Sequence, residues 1–105
     1  MVPRQTLTAV LKLLQCCLEN GDVRYGRHFK QELANEGLEI GDAWTVLRTG
    51  RVYEAPEPDI RTGEWKYRLE GREPSGVLIV IVFALKRLDS TYLITIFSVH
   101  GKGSR

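Results

Sequence analysis

Val77-Leu78-Ile79-Val80-Ile81-Val82-Phe83 is apolar at every position, so an extended segment here would bury both of its faces. The run is far shorter than the roughly 20 residues needed to cross a bilayer. It therefore reads as the central strand of a sheet, covered on both sides. Just before it, beyond a turn at 71–76, residues 64–70 alternate: Trp65, Tyr67 and Leu69 fall on one face, and Glu64, Lys66, Arg68 and Glu70 on the other. One face of that strand packs, and the other meets solvent or a ligand. After the apolar run, Arg87-Leu88-Asp89-Ser90 reads as a turn and residues 92–99 as the last strand, with residues 100–105 as a mobile tail.

Upstream, Val52-Tyr53-Glu54 reads as the first strand. Residues 55–59 read as a loop, because Pro56 and Pro58 remove the ladder donors a central strand needs. Before that the period becomes helical. Leu7, Val10, Leu11, Leu14 and Leu18 form one stripe of an amphipathic helix from Thr6 or Thr8 to Asn20, stopped by Gly21. Val23-Arg24-Tyr25 is a short extended piece. A second helix follows over 27–36 with Phe29 and Leu33 inward and Gly37 beyond its end. A third over 42–49 has Asp42 as its cap, Trp44 and Leu47 inward, and Gly50 as its stop. The expected fold is α+β, with N-terminal helices packed on an antiparallel β-sheet, as a single domain over 1–105.

The chain's 105 residues allow one hydrophobic core. Its net charge of +2 supplies no global field toward nucleic acid or anionic lipid. The positive end is 76–105, where Lys86, Arg87, Lys102 and Arg105 face the single acid Asp89. Cys16 and Cys17 are adjacent, so in a helix they point about 100° apart and can hardly bridge. Neither has a partner at zinc-ligand spacing, and no metal or cofactor site is expected. The start of the chain lacks the pattern of a signal peptide. These features make the cytoplasm the expected compartment and give no reason to expect a membrane.

No phosphate-binding glycine loop, zincin motif or nucleophile elbow occurs. What remains is a set of polar side chains, Tyr53, Glu54, Lys66, Arg68 and Arg72, together with His28 and His100, the only histidines. Metal-independent RNA cleavage needs a base for the ribose 2′-hydroxyl, cations for the phosphate and an acid for the leaving oxygen, and these types can fill those roles. Each also has a plainer reading. Lys66 and Arg68 would solvate an outer strand face, His28 could pair with Glu32 on a helix surface, and Tyr53 could be half-buried in a strand. Trp65 and Tyr67 could stack bases, but an alternating aromatic pair is more often core.

Gly21-Asp22-Val23-Arg24, Arg27-His28-Phe29-Lys30-Gln31-Glu32-Leu33, Gly63-Glu64-Trp65-Lys66-Tyr67-Arg68 and Tyr92-Leu93-Ile94-Thr95-Ile96-Phe97 together resemble, in order and spacing, the MqsR family of bacterial toxins. With a His-containing second helix, VLRTGRV at 46–52 and TGEWKYRLEG at 62–71, the chain is also similar to a set of short bacterial and archaeal proteins. The resemblance implies a RelE/ParE-like fold, endoribonuclease activity on mRNA, and neutralisation by an antitoxin protein of zinc-finger or helix-turn-helix type. It departs from the MqsR pattern at Glu54, where that family has lysine, at Lys66, where it has glutamine, within Val77-Leu78-Ile79-Val80, where it has a tyrosine, and at Ser98, near a family lysine. The residues expected to act are His28, Tyr53, Lys66 and Arg68, with Arg24, Arg27, Arg51 and Arg72 on RNA. A noncatalytic protein- or nucleic-acid-binding module, a ParE-like toxin acting on a protein, and a homodimer all remain open.

Overall fold

The computed structural model describes residues 1–99. The first helix, α1 (Leu7–Asn20), starts where Thr6 Oγ1 accepts the Ala9 N–H at 3.1 Å. It ends at Gly21, whose φ of 74° is the left-handed conformation glycine adopts without a Cβ clash. Strand β1 (Val23–Tyr25) leads into α2 (Arg27–Asn35) and α3 (Ile40–Thr49). Helix α3 begins two residues before the expected Asp42. Glu39 is its cap, and Asp42, one turn in, accepts the Glu39 N–H at 2.9 Å in a reciprocal capping box. An acid in the first turn and an acid at the cap give similar sequence signals, which is why Asp42 looked like the start.

Five strands follow: β2 (Arg51–Val52), β3 (Glu57–Pro58), β4 (Trp65–Arg72), β5 (Leu78–Arg87) and β6 (Ser90–Ser98). β2 stops before Tyr53, so Tyr53 and Glu54 leave the sheet instead of extending it. Part of the expected loop is β3, where Pro58 is tolerated because this two-residue strand lies off the main path and pairs only with β4. The order β1-β6-β5-β4-β2 makes a mixed sheet: the segments after α3 pair antiparallel, and β1 adds in parallel to β6 through Val23↔Thr91 and Tyr25↔Leu93. Asp22 anchors that addition. Its carbonyl accepts the Thr91 N–H at 3.1 Å, and its carboxylate accepts from Ser90 Oγ at 3.2 Å.

All three helices pack on one face of the sheet. Val10, Leu14, Phe29, Val46 and Leu47 join one cluster with the register rows Tyr67–Phe83–Leu93 and Leu69–Ile81–Ile96. Tyr67 stacks on Phe83 at 5.5 Å between ring centres, and Trp65, half-buried, lies under Arg4. These aromatics belong to the helix side.

The opposite face carries the rows Lys66–Ala84–Tyr92–Arg24, Arg68–Val82–Thr95 and Arg51–Glu70–Val80–Phe97. The apolar run was expected to be covered by packed elements on both sides, but helices cover only one. Val80 is nevertheless 0% exposed, flanked in its row by Phe97 and Glu70.

One close approach sets the geometry beside β4. A Cβ on Gly50 would lie 2.6 Å from the Glu70 carbonyl oxygen, 2.6 Å from Leu69 Cδ2 and 2.7 Å from the Val46 carbonyl oxygen. Only glycine lets the end of α3 sit this close to β4, and that contact delivers Arg51, Tyr53 and Glu54 to the open face. Among the described residues, no helix is long and apolar enough to cross a membrane.

Candidate functional site

The corner after α3 and the start of the turn after β4 enclose a cleft of about 610 Å³, lined in part by Arg51, Tyr53, Glu54, Glu70 and Arg72. Arg51 is steadied by Nη1 donating to the Gly50 carbonyl at 2.9 Å, and Arg72 by Nη1 donating to the Gly76 carbonyl at 2.8 Å. Among the described residues only one nitrogen of each guanidinium is used, which leaves further donors. Tyr53 is 62% exposed, so its phenol is available to a ligand. Glu70, opposite Arg51 in the register, is buried.

Arg68 stands next to this cleft. Its guanidinium carbon lies 5.7 Å from the centre of the Phe97 ring, within cation–π range. Its Nε is buried with no hydrogen-bond partner among the described residues, and the nearest acid, Glu54, leaves Oε1 at 3.9 Å, too far for a hydrogen bond. An unsatisfied buried N–H on a cation is a costly arrangement in a resting protein.

Lys66, one pleat away, has a different environment. Its Nζ is 3.8 Å from Asp59 Oδ2, and the other carboxylate oxygen of Asp59 accepts the N–H groups of Arg61 at 2.8 Å and Thr62 at 3.0 Å. The Thr62 N–H first and the Arg61 N–H second, with Lys66 adding to them, hold the Asp59 carboxyl below its ordinary range. Farther along the face, Lys86 bonds Glu64 at 2.8 Å and sits 5.6 Å from the Tyr92 ring centre.

The expected residues therefore separate into two groups. Arg51, Tyr53 and Arg72 line the cleft at the β2–β4 side of the open face, Arg68 adjoins it through Glu54, and Lys66 follows two residues away on the same face of β4. The others are at the far end of the sheet. His28 is exposed on α2, on the helix side beside β1, with β6 and β5 between that edge and β4. Arg27 lines a separate groove with Tyr25, Gly26 and Lys30. Arg24 shares the open face but turns to Asp22, its Nε 3.3 Å from Oδ1. His100 lies outside the described residues, as do the remaining tail positions.

Three members of the site had no assigned role in the sequence. Glu54 was one of several polar residues, and its pairing with Arg68 depends on where the chain leaves β2. Glu70 looked like a solvated strand residue. Phe97 was hidden by parity: strict alternation puts it on the face opposite Tyr92, but a bulge between the Phe83–Leu93 and Val82–Thr95 pairs returns both rings to the open face. Among the described residues, no three His, Cys, Asp or Glu side chains gather as a metal-binding set.

Residues 25–98 match a family described as a domain of unknown function (DUF4258). The match spans α2, α3 and every strand from β2 to β6, and so takes in the whole cleft and Arg68. No curated protein matches the chain.

Proposed function

We propose that this chain, which belongs to the DUF4258 family, is a metal-independent endoribonuclease acting on messenger RNA in the cytoplasm, as the toxin half of a toxin–antitoxin pair. The observation that carries this reading is Arg68, with its buried, unsatisfied Nε beside a cleft that also holds Arg51, Arg72, Tyr53 and Glu54. Planar guanidinium groups match the oxygens of a phosphodiester, and this corner carries two on the cleft wall, Arg51 and Arg72, with Arg68 beside it. The resemblance to MqsR-like toxins in the order of elements supports the same class.

In this reading the scissile phosphate rests on Arg68, with Arg51 and Arg72 along the neighbouring backbone. Glu54 takes the proton of the ribose 2′-hydroxyl as the 2′-oxygen bonds to phosphorus. The bond to the 5′-oxygen breaks, and the Tyr53 phenol gives that oxygen its proton. The products are a 2′,3′-cyclic phosphate and a 5′-hydroxyl, and exchange with water resets both side chains. Lys66, already beside a pinned carboxylate, takes a supporting place, and His28 lies apart from the chemistry. An antitoxin of zinc-finger or helix-turn-helix type would neutralise the protein, and self-association into a homodimer is compatible with it.

A noncatalytic binding module is the second reading. It is favoured by the acids already beside the open-face cations, as in Lys66–Asp59, Arg68–Glu54 and Lys86–Glu64, which lower the field available to RNA. Expression of the wild type and Arg68→Ala in bacteria, with growth curves and mapping of mRNA 5′ ends, separates the readings. Arrest with discrete cleavage, both lost in the variant, is the expected result. Arrest without cleavage would move the target to a protein, and normal growth with soluble wild type would favour the binding module.

A further inference from the structure

We infer that Glu54 is a built-in competitor for the substrate phosphate on Arg68: its carboxylate holds the anion position until a phosphodiester displaces it, and the displacement frees it to act. The inference rests on the reading of this face as a phosphodiester site and adds a self-blocking step to it. The two ion pairs on β4 show why only one acid can play this part. Asp59 is fixed by two backbone N–H groups of its own turn, so moving it off Lys66 breaks those bonds as well. Glu54 makes no hydrogen bond among the described residues. Its side chain is 51% exposed, it follows the last residue of β2, and it meets Arg68 only at 3.9 Å.

Arg68 is more confined. Its aliphatic stem rises from the middle of β4, paired to Val82 in the sheet, and its head is held over Phe97. The Arg68 side chain is 39% exposed against 51% for Glu54, so the acid is the freer of the two and the one that yields. A phosphodiester oxygen that takes the place of the Glu54 carboxylate can accept from the orphaned Nε, with which Glu54 makes no hydrogen bond at 3.9 Å. The displaced carboxylate stays within the same corner, next to Tyr53 and near the ribose of the bound nucleotide.

The test measures binding without turnover, using a short fluorescent single-stranded DNA, which lacks the 2′-hydroxyl that cleavage requires. Anisotropy titrations at low ionic strength compare wild type, Glu54→Gln, Glu57→Gln and the Arg68→Ala versions of each. Glu57 is an exposed acid on β3 opposite Lys66, so its neutralisation changes net charge equally. Glu54→Gln is expected to bind about two- to fivefold tighter than wild type, the scale of one exposed ion pair. Glu57→Gln should move less, and the gain from Glu54→Gln should vanish on Arg68→Ala. Equal tightening by both glutamines, a gain that survives without Arg68, or weaker binding by Glu54→Gln would each overturn the competitor role alone. Absence of binding by every protein would overturn the phosphodiester reading and this inference with it.

Discussion

The two faces of β4 and β5 are made by neighbouring residues of the same strands, yet they are stabilised in different ways. On the helix side, Tyr67, Leu69, Ile81 and Phe83 are buried against three helices, and their contribution is apolar area and close packing. On the open side, Val80 and Ala84 are equally hidden, but the rows around them hold Phe97, Tyr92 and long cationic side chains instead of a second layer. The first face specifies the fold. The second holds cations at the surface, and replacing those polar side chains is expected to cost less stability than replacing the helix-side core.

Substitutions that break this contrast order themselves by size. Phe83→Ala, which removes the ring stacked on Tyr67, should lower unfolding free energy by about 3–5 kcal/mol in urea titrations. Gly50→Ala forces a Cβ against backbone and side-chain atoms at 2.6–2.7 Å, and should lose about 1–3 kcal/mol by the same measurement. It should also impair nucleic-acid binding, because the corner carrying Arg51 and Tyr53 must move. Tyr67→Phe leaves the Gln5 N–H without its 2.9 Å acceptor and should lose about 1 kcal/mol, with faster amide exchange at Gln5.

On the open face, Arg68→Met should stay within about 1 kcal/mol of wild type, since it removes an unsatisfied buried N–H together with a cation–π contact. The same variant should abolish RNA cleavage. A loss of several kcal/mol would mean that Arg68 is a packing residue, and the contrast between the faces would fail. The smallest effect is expected at Asp59. Its folded-state pKa is lowered, so its contribution is present above the ordinary carboxylate range and is lost as pH falls through the folded value. Asp59→Asn should accordingly show a shallower decline of thermal stability on acidification than wild type.

The helix-side half of this contrast was legible in the sequence, because a stripe at Leu7, Val10, Leu11 and Leu14 or an alternation at 65, 67 and 69 depends only on local periodicity. Helix ends followed Thr6 and Gly21 for the same reason. Long-range features were not written locally. Val23–Tyr25 looked merely extended, since its partner Thr91–Leu93 is far along the chain and the parallel pairing needs Asp22 to fix it. The open face was half legible. Lys66 and Arg68 were seen to share a side, but which acid each meets depends on the turn at Asp59 and on the exit of the chain at Tyr53. His28 entered the candidate set by its residue type, its place near Arg24 and Arg27 and the resemblance of its helix, and none of these carries information about which side of a sheet a helix covers.

The parallel pairing of β1 with β6 also governs timing. During synthesis residues 23–25 emerge early, but their partners at 91–93 leave the ribosome only after the rest of the sheet has been made. Such a closing contact is slow to form, because a long intervening chain must first be ordered. Until β6 arrives, β5, the most apolar strand, has a bare edge. A nascent chain stalled before Ser90 would therefore present a sticky β5 edge to chaperones, and the open face would be completed only when Tyr92 and Phe97 are laid down beside it.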